Sequence, residues 1–425
     1  MKKIIFIILA VFFISLIFLP KSNPQKNISK NSSLTFQENK KIKILFGGDL
    51  MMDRRVKKSV KENFEGNYLK LFEKYLNYFN NFDYVVLNLE GPISNRGTKI
   101  GSKYSFRMEP EIIEALKNAN LKVFNLANNH IFDYGKEAFD DTLKILKENE
   151  FFFFGVGQDE ISAYAPLILE KYGNKVGILG FSQFLEHLKA KNSPGIAFLE
   201  EEIFERKIKE AKRIVDILIV VFHWGNEYEI EPTENQKYFA HKAIDLGADL
   251  VVGHHPHVVQ KIEKYKEKLI FYSLGNFTFD QDFSEQTTKG GLVELEIEDK
   301  RIKEIYFRWL YLNEKFQIEK ISDKLMISEI EGNVYKLRIA KNPQEWEKGL
   351  MFVKKPLDYD GMIFIFPEKQ VRYFWNKNTF VDLKLYWLDG KEIIGKDFLP
   401  SIEKTKTILV VSSKKPVNGV IEIIK

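Results

Sequence analysis

Residues 249–257 read DLVVGHHPH. A short apolar run leads through Gly253 directly into His254, His255, Pro256 and His257. His255 and His257 are one residue apart, and the ring of Pro256 stiffens the turn between them. Both imidazoles can therefore point at adjacent coordination positions. The same arrangement recurs upstream. Residues 41–46 (KIKILF) lead into Gly47-Gly48-Asp49, and residues 83–88 (DYVVLN) into Glu90. Residues 121–126 (LKVFNL) lead into Asn128-Asn129-His130, and residues 216–222 (DILIVVF) into His223. Five nearly continuous apolar runs, each closed by a group able to ligate a metal, predict strands buried on both faces. In open α/β sheets the carboxyl ends of such strands gather along one edge, where ligands bind.

Helical patterns fill the gaps. Phe139, Leu143 and Leu146 share one helical face, as do Phe204, Ile208, Ala211 and Val215. The alternation from 41 to about 312 predicts an α/β (α+β) fold, with short alternating strands replacing helices from Lys268 onward. Of the seven histidines, His187 falls in a loop and His241 inside a helix pattern, away from the strand ends.

Each candidate taken alone has a plain structural reading. Asp49 after two glycines is a turn residue, Glu90 a cap, Asn128 and Asn129 occupants of left-handed backbone, and His223 a satisfied buried histidine. Five coincident strand ends weigh against all of these at once. The chain has no cysteine, so disulfides and thiolate chemistry are excluded and any metal is held by nitrogen and oxygen. Carboxylate, amide and imidazole ligands suit two close divalent cations and metal-assisted attack of water on a phosphoester. The net charge of +5 is too small and too dispersed for a nucleic-acid partner.

The stretch from about 43 to 281 resembles the bacterial capsule-synthesis family CapA, associated with poly-γ-glutamate synthesis and export. The resemblance rests on Gly48-Asp49 with Arg54, Asn88-Leu-Glu90-Gly-Pro, Ala127-Asn-Asn-His130 with Asp133-Tyr-Gly135, and His223-Trp-Gly225 with Glu227-Tyr228. It continues through Gly247-Ala-Asp249, Gly253-His-His-Pro-His-Val258 and Ser273-Leu-Gly-Asn-Phe277. It implies a calcineurin-like metallophosphoesterase fold, a four-layer αββα sandwich. Position by position it implies Asp49 and His257 as ligands of one metal, and Asn129, His223 and His255 as ligands of a second. Glu90 would bridge them, and His130 would be the acid that protonates the leaving group. Arg54, Asn128, Glu227, His254 and Asn276 follow as substrate-contacting or supporting residues.

Two positions depart from the wider phosphoesterase pattern. Met51 stands where that pattern has a histidine, and Glu90 where it has an aspartate. A thioether is a poor ligand for hard cations. The expectation is one divalent ion (Mn, Fe or Zn) held tightly and a second held weakly, with Asp53 as a possible substitute ligand. Three functions are compatible with this: a capsule-polymer component working with membrane-bound synthesis machinery, a phosphoesterase acting on another substrate, or a non-catalytic scaffold.

The ends of the chain add two expectations. Lys2 and Lys3 precede an apolar run from Ile4 to Leu19, closed by Pro20. Residues 1–20 thus read as a signal anchor or signal peptide, residues 21–40 as a polar tether, and the body as extracytoplasmic. Beyond the 41–320 domain, residues 325–425 read as a smaller, mostly β domain resembling the uncharacterised family DUF192. That resemblance rests on Ile339-Ala340, Gly349-Leu-Met-Phe352, Gly361-Met-Ile-Phe-Ile-Phe366, Phe374-Trp-Asn-Lys-Asn-Thr379 with Asp382, and Leu388-Asp389-Gly390. Asn376 stands where that family usually has Met. Phe374, Trp375, Trp387 and Phe398 read as an aromatic β core, or alternatively as a sugar- or peptide-binding groove.

Overall fold

The computed structural model describes residues 40–100 and 103–425. The predicted anchor and tether therefore lie outside the described residues. Among those described, no helix is long and apolar enough to cross a membrane.

The five apolar runs are strands: Ile42–Leu50, Tyr84–Leu89, Val123–Asn125, Ile217–His223 and Leu250–His254. The first three lie side by side in parallel in one sheet, and the last two in parallel in a second. All seven residues of Ile217–His223 and all five of Leu250–His254 are buried, as expected for strands covered on both faces. The two sheets face each other. Ile44, Phe46 and Val86 from one meet Ile178, Ile219 and Val252 from the other in a shared apolar core. The outer face of the first sheet is covered by helices that include Arg54–Asn63 and Gly135–Glu148, through Val56, Val60, Phe139 and Leu146. The outer face of the second is covered by Glu201–Lys212 and Glu234–Asp245, through Phe204, Ile208, Ala240 and Ala243. The result is the predicted four-layer αββα sandwich. One helix is shorter than its pattern: Glu201–Lys212 ends before Val215, which is still buried but reaches the same core from the following loop.

Register brings the strand ends level. Asp49 pairs with Asn88 and Asn88 with Asn125 in the first sheet, while Ser182, His223 and His254 align across the second. Gly48 keeps the first strand close to its neighbour. A Cβ there would lie 1.9 Å from the Gly275 carbonyl oxygen, the group that accepts the Asp49 N–H at 2.8 Å. Only glycine permits that approach, and it places Asp49.

The first sheet does not stop at residue 320. Its order continues through Lys289–Glu298 and Arg301–Leu312 to Leu325–Ile330, Asn333–Ala340, Gly361–Gln370, Val417–Ile424, Leu383–Asp389 and Glu392–Leu399. Tyr306 pairs with Met326 and Phe307 with Leu325, and Leu325 packs into the core between the sheets. The expected domain boundary falls between the strands Ile318–Ile321 and Leu325–Ile330, and the hydrogen-bonded sheet runs across it. The Asp389-Gly390 hairpin is present, with Gly390 at a φ of +61°. Phe374 and Trp387 pack in the β core as expected, while Trp375 and Phe398 are exposed.

Candidate metal centre

Asp49, Glu90, Asn129, His223, His255 and His257, which are scattered over some 200 residues of sequence, meet where the strand ends of both sheets converge. Donor atoms of Asp49, Glu90 and His257 all lie within 4.8 Å of one another, and all three residues are buried. His257 Nδ1 is 3.3 Å from Asp49 Oδ2, and its Nε2 is 3.6 Å from Glu90 Oε1. Beside this cluster, His223 Nε2 lies 2.7 Å from Asn129 Oδ1, and the His223 and His255 rings are 4.9 Å apart. The residues of the two expected ligand sets thus lie side by side, although His255 also shares a possible ligand group with Glu227 and His257.

The histidine turn is held in an unusual backbone state. His255 and His257 have φ values of 96° and 57°, a region that side chains other than glycine rarely adopt. Surrounding bonds impose it. His255 N donates to Asp49 Oδ2 at 3.2 Å, Trp224 N to the His254 carbonyl at 3.1 Å, and Tyr228 N to the Pro256 carbonyl at 2.8 Å. Local strain held by its surroundings is common where side chains must be aimed.

The supporting residues have distinct positions. His254 Nδ1 stands 3.4 Å from Asp49 Oδ1, and Asn276 Oδ1 is 3.0 Å from His257 Nδ1. Asn128 donates to the Leu89 carbonyl at 2.8 Å and accepts from His130 N, so it ties two strand ends together without facing the cluster. Arg54 pairs with Asp280 at 3.0 Å and stacks over Phe106, at the side of the site. Glu227, expected only as a supporting residue, has a carboxylate within 4.8 Å of donor atoms of His255 and His257, which places it within ligand reach.

Two residues outside the predicted set hold the site together. Asn88 Nδ2 donates to Asp49 Oδ1 at 2.8 Å and to Glu90 Oε2 at 3.3 Å, spacing the two carboxylates. Asp133 Oδ2 accepts from His130 Nδ1 at 2.7 Å and fixes that ring, whose Nε2 is 3.7 Å from Glu90 Oε1. Both were visible as neighbours: Asn88 two residues before Glu90 on one strand, Asp133 three residues after His130.

Met51 is fully buried. It packs with Phe106 and Phe279, and its sulfur accepts the Asp53 N–H at 3.1 Å. Asp53, considered as a substitute ligand, has its carboxylate on the Arg107 N–H at 2.8 Å and does not join the cluster.

The electrostatics call for a cation. Burial pushes the Glu90 carboxyl well above the usual carboxylate range. Burial works against the Asp49 carboxylate too, but His254 and His257 beside it hold it well below that range. Burial would lower His257 as well, yet Glu90 and Asp49 more than reverse this and hold it up at about 9. His257 thus stands between the acidic groups of Asp49 and Glu90, within 3.3 Å and 3.6 Å of them. Burial pushes His223 well below the ordinary imidazole range, and His255 down to about 3, so both are neutral and fit to ligate. Glu90 Oε1 and the Nδ1 atoms of His223 and His255 are buried with no hydrogen-bond partner among the described residues. Nitrogen and oxygen donors of this kind, buried, partly orphaned and converging, fit a divalent metal site.

Residues 43–281 match the family model described as bacterial capsule synthesis protein PGA_cap, and residues 326–425 match the uncharacterised family DUF192. The chain is 34% identical over 273 residues to the capsule biosynthesis protein CapA of Bacillus anthracis, covering 62% of this chain and 66% of that protein. It is 36% identical over 254 residues to the PGA biosynthesis protein CapA of Bacillus subtilis, covering 59% and 66%. It therefore spans just under two thirds of the length of these two relatives. A crystal structure of a phosphatase from Mycoplasma pneumoniae aligns with 64% of this chain and 94% of its own at 17% identity, with a TM-score of 0.39. Since the matched segment carries the site and exceeds half of its length, the chain belongs to the bacterial capsule synthesis protein family PGA_cap.

Proposed function

We propose that this protein serves capsule polymer (poly-γ-glutamate) synthesis or export at the cell surface, through a metal-dependent hydrolytic site acting on a phosphoester. The observation that carries the reading is the convergence of Asp49, Glu90 and His257 with His223, Asn129 and His255, inside residues 43–281 that match the capsule synthesis family. Divalent ions bound there would polarise the phosphoester and lower the pKa of water. Asp49, Glu90 and His257 would hold one ion. His223, His255 and Asn129 would hold the other, with Glu227 in reach. His130 would act as general acid, its ring held by Asp133 and its Nε2 3.7 Å from Glu90 Oε1. As water adds to phosphorus and gives up a proton to solvent, the bond to the leaving oxygen would break and that oxygen take the His130 proton.

His130→Ala is expected to leave bound metal unchanged and to slow hydrolysis of an aryl phosphate by roughly 10²–10⁴-fold, the usual contribution of a positioned acid. Loss of metal together with activity would instead make His130 a structural residue. The Met51 thioether, a poor ligand for hard cations and packed with Phe106 and Phe279, favours a second reading, a scaffold that keeps the fold with a partial site. Metal binding without any phosphatase activity would select it. Polymer content in a deletion strain tests the capsule role directly, and unchanged polymer would reject it.

The location rests on Lys2-Lys3 and the apolar run from Ile4 to Leu19. Protease added to intact protoplasts is expected to digest the body while a cytoplasmic marker survives. Protection of both would reverse the orientation.

A further inference from the structure

The C-terminal β region contains a second cavity whose chemistry is unlike that of the metal centre. It has a volume of about 440 Å³, within the range of small-molecule sites. Its walls are aromatic, formed by Trp346, Phe364, Phe366, Phe374 and Trp375, and a single buried carboxylate, Glu422, faces into it.

Glu422 stands where a core residue is expected. On the strand Val417–Ile424 it lies cross-strand between Met362 and Leu385, both members of the local apolar core. It is 4% exposed, and among the described residues neither a hydrogen bond nor a charged neighbour acts on its carboxyl group; burial is the sole influence. An apolar side chain would fill this position without the cost of a buried, unpartnered polar group. The space above the carboxylate is kept open by Gly349, whose φ of +44° lies in the left-handed region. A Cβ there would stand 3.3 Å from the Phe364 ring and 4.0 Å from Glu422 Oε2. The aromatic walls already accept a cation at one point: the Arg372 guanidinium lies 3.9 Å from the centroid of Phe366.

A buried carboxylate facing aromatic rings is complementary to a positive charge on an apolar body. We propose that this pocket binds an organic ammonium ion, with the ammonium group at Glu422 and the carbon body against the aromatic walls. The proposal is independent of the metal centre. The other charged groups around the cavity are Glu347 and Lys348 on the helix Pro343–Lys348, and Arg372; the strands flanking Glu422 place only Met362 and Leu385 beside it. Burial holds the Glu422 carboxyl up at about 8, so at neutral pH an entering ammonium displaces a proton.

The test is calorimetric titration of benzylammonium into the full chain in a neutral detergent, with benzyl alcohol and benzoate as neutral and anionic controls. Benzylammonium is expected to bind in preference to both, and to release about one proton per ligand at pH 7. Its affinity should rise by up to about tenfold per pH unit below pH 8 as the carboxylate becomes available. Glu422→Gln should weaken binding by about tenfold or more and remove the proton release. Trp375→Ala, at a position 45% exposed, should leave the fold intact and weaken binding by about threefold. Failure of benzylammonium to saturate the protein would overturn the proposal. So would equal binding of benzyl alcohol or benzoate, or unchanged affinity in Glu422→Gln. Should Glu422→Gln not fold, unchanged affinity in Trp375→Ala decides against it.

Discussion

Glu90→Gln is expected to abolish stoichiometric metal binding while leaving the metal-free protein at least as stable as before. Glu90 is fully buried, Asn88 spaces its carboxylate from that of Asp49, and its Oε1 has no hydrogen-bond partner among the described residues. In the absence of metal the group bears the full cost of burial, which is why its carboxyl is pushed up. An uncharged isostere relieves that cost and removes the charge that Glu90 contributes beside Asp49 and His257. Elemental analysis after dialysis against Mn²⁺ should find metal in the wild type and none in Glu90→Gln, an affinity loss of about 10²-fold or more. Thermal melting supplies the second readout. At a hundredfold excess over Kd, metal should stabilise the wild type by about 2.7 kcal/mol and the variant hardly at all. His223→Ala and His255→Ala should each lose the ion on their side of the cluster. A wild-type protein that carries no transition metal, and whose melting is unmoved by Mn²⁺ or Zn²⁺, would sink the metal reading and leave the scaffold in its place.

Glu422→Gln should change the pH dependence of stability over several units. The Glu422 carboxyl titrates at about 8 in the folded protein, against about 4.3 for glutamate in an unfolded chain. Between those values the folded state binds more protons than the unfolded state, so stability falls as pH rises. The full slope is about 1.4 kcal/mol per pH unit, and the loss is complete above pH 8, amounting to several kcal/mol in all. Glutamine has no proton to lose. The variant should match the wild type near pH 4 and exceed it by several kcal/mol at pH 9, as read from urea denaturation across that range. Parallel stability profiles would mean that Glu422 is already ionised, and hence hydrated or paired, in the folded chain.

Much of the metal centre was legible because its signal is local. A buried strand writes itself as a continuous apolar run, and a group at its carboxyl end is adjacent in sequence. Asp49, Glu90, Asn129, His223 and His255 were all readable in that way. Glu227 was not. It lies on an exposed loop after His223, and bonds such as that from Tyr228 N to the Pro256 carbonyl return that loop to the histidine turn. Met51 read as a missing ligand, but its neighbours Phe106 and Phe279 come from distant segments, so its place in an apolar cluster could not be inferred. Nothing in the sequence marked Glu422, which stands among Val420, Ile421, Ile423 and Ile424. Its burial depends on Leu350 and the aromatic rings, which come from other segments.

Strand and helix periodicity, the candidate ligand at each strand end and the absence of thiol chemistry followed from the sequence alone, because each depends on side chains within a few residues of one another. The spacing of the two carboxylates, the placing of His257 between them, the continuation of one sheet past residue 320 and the burial of Glu422 were decided only by the tertiary structure. These depend on which remote surfaces meet and exclude water, and burial acts on a charge through all of its neighbours at once.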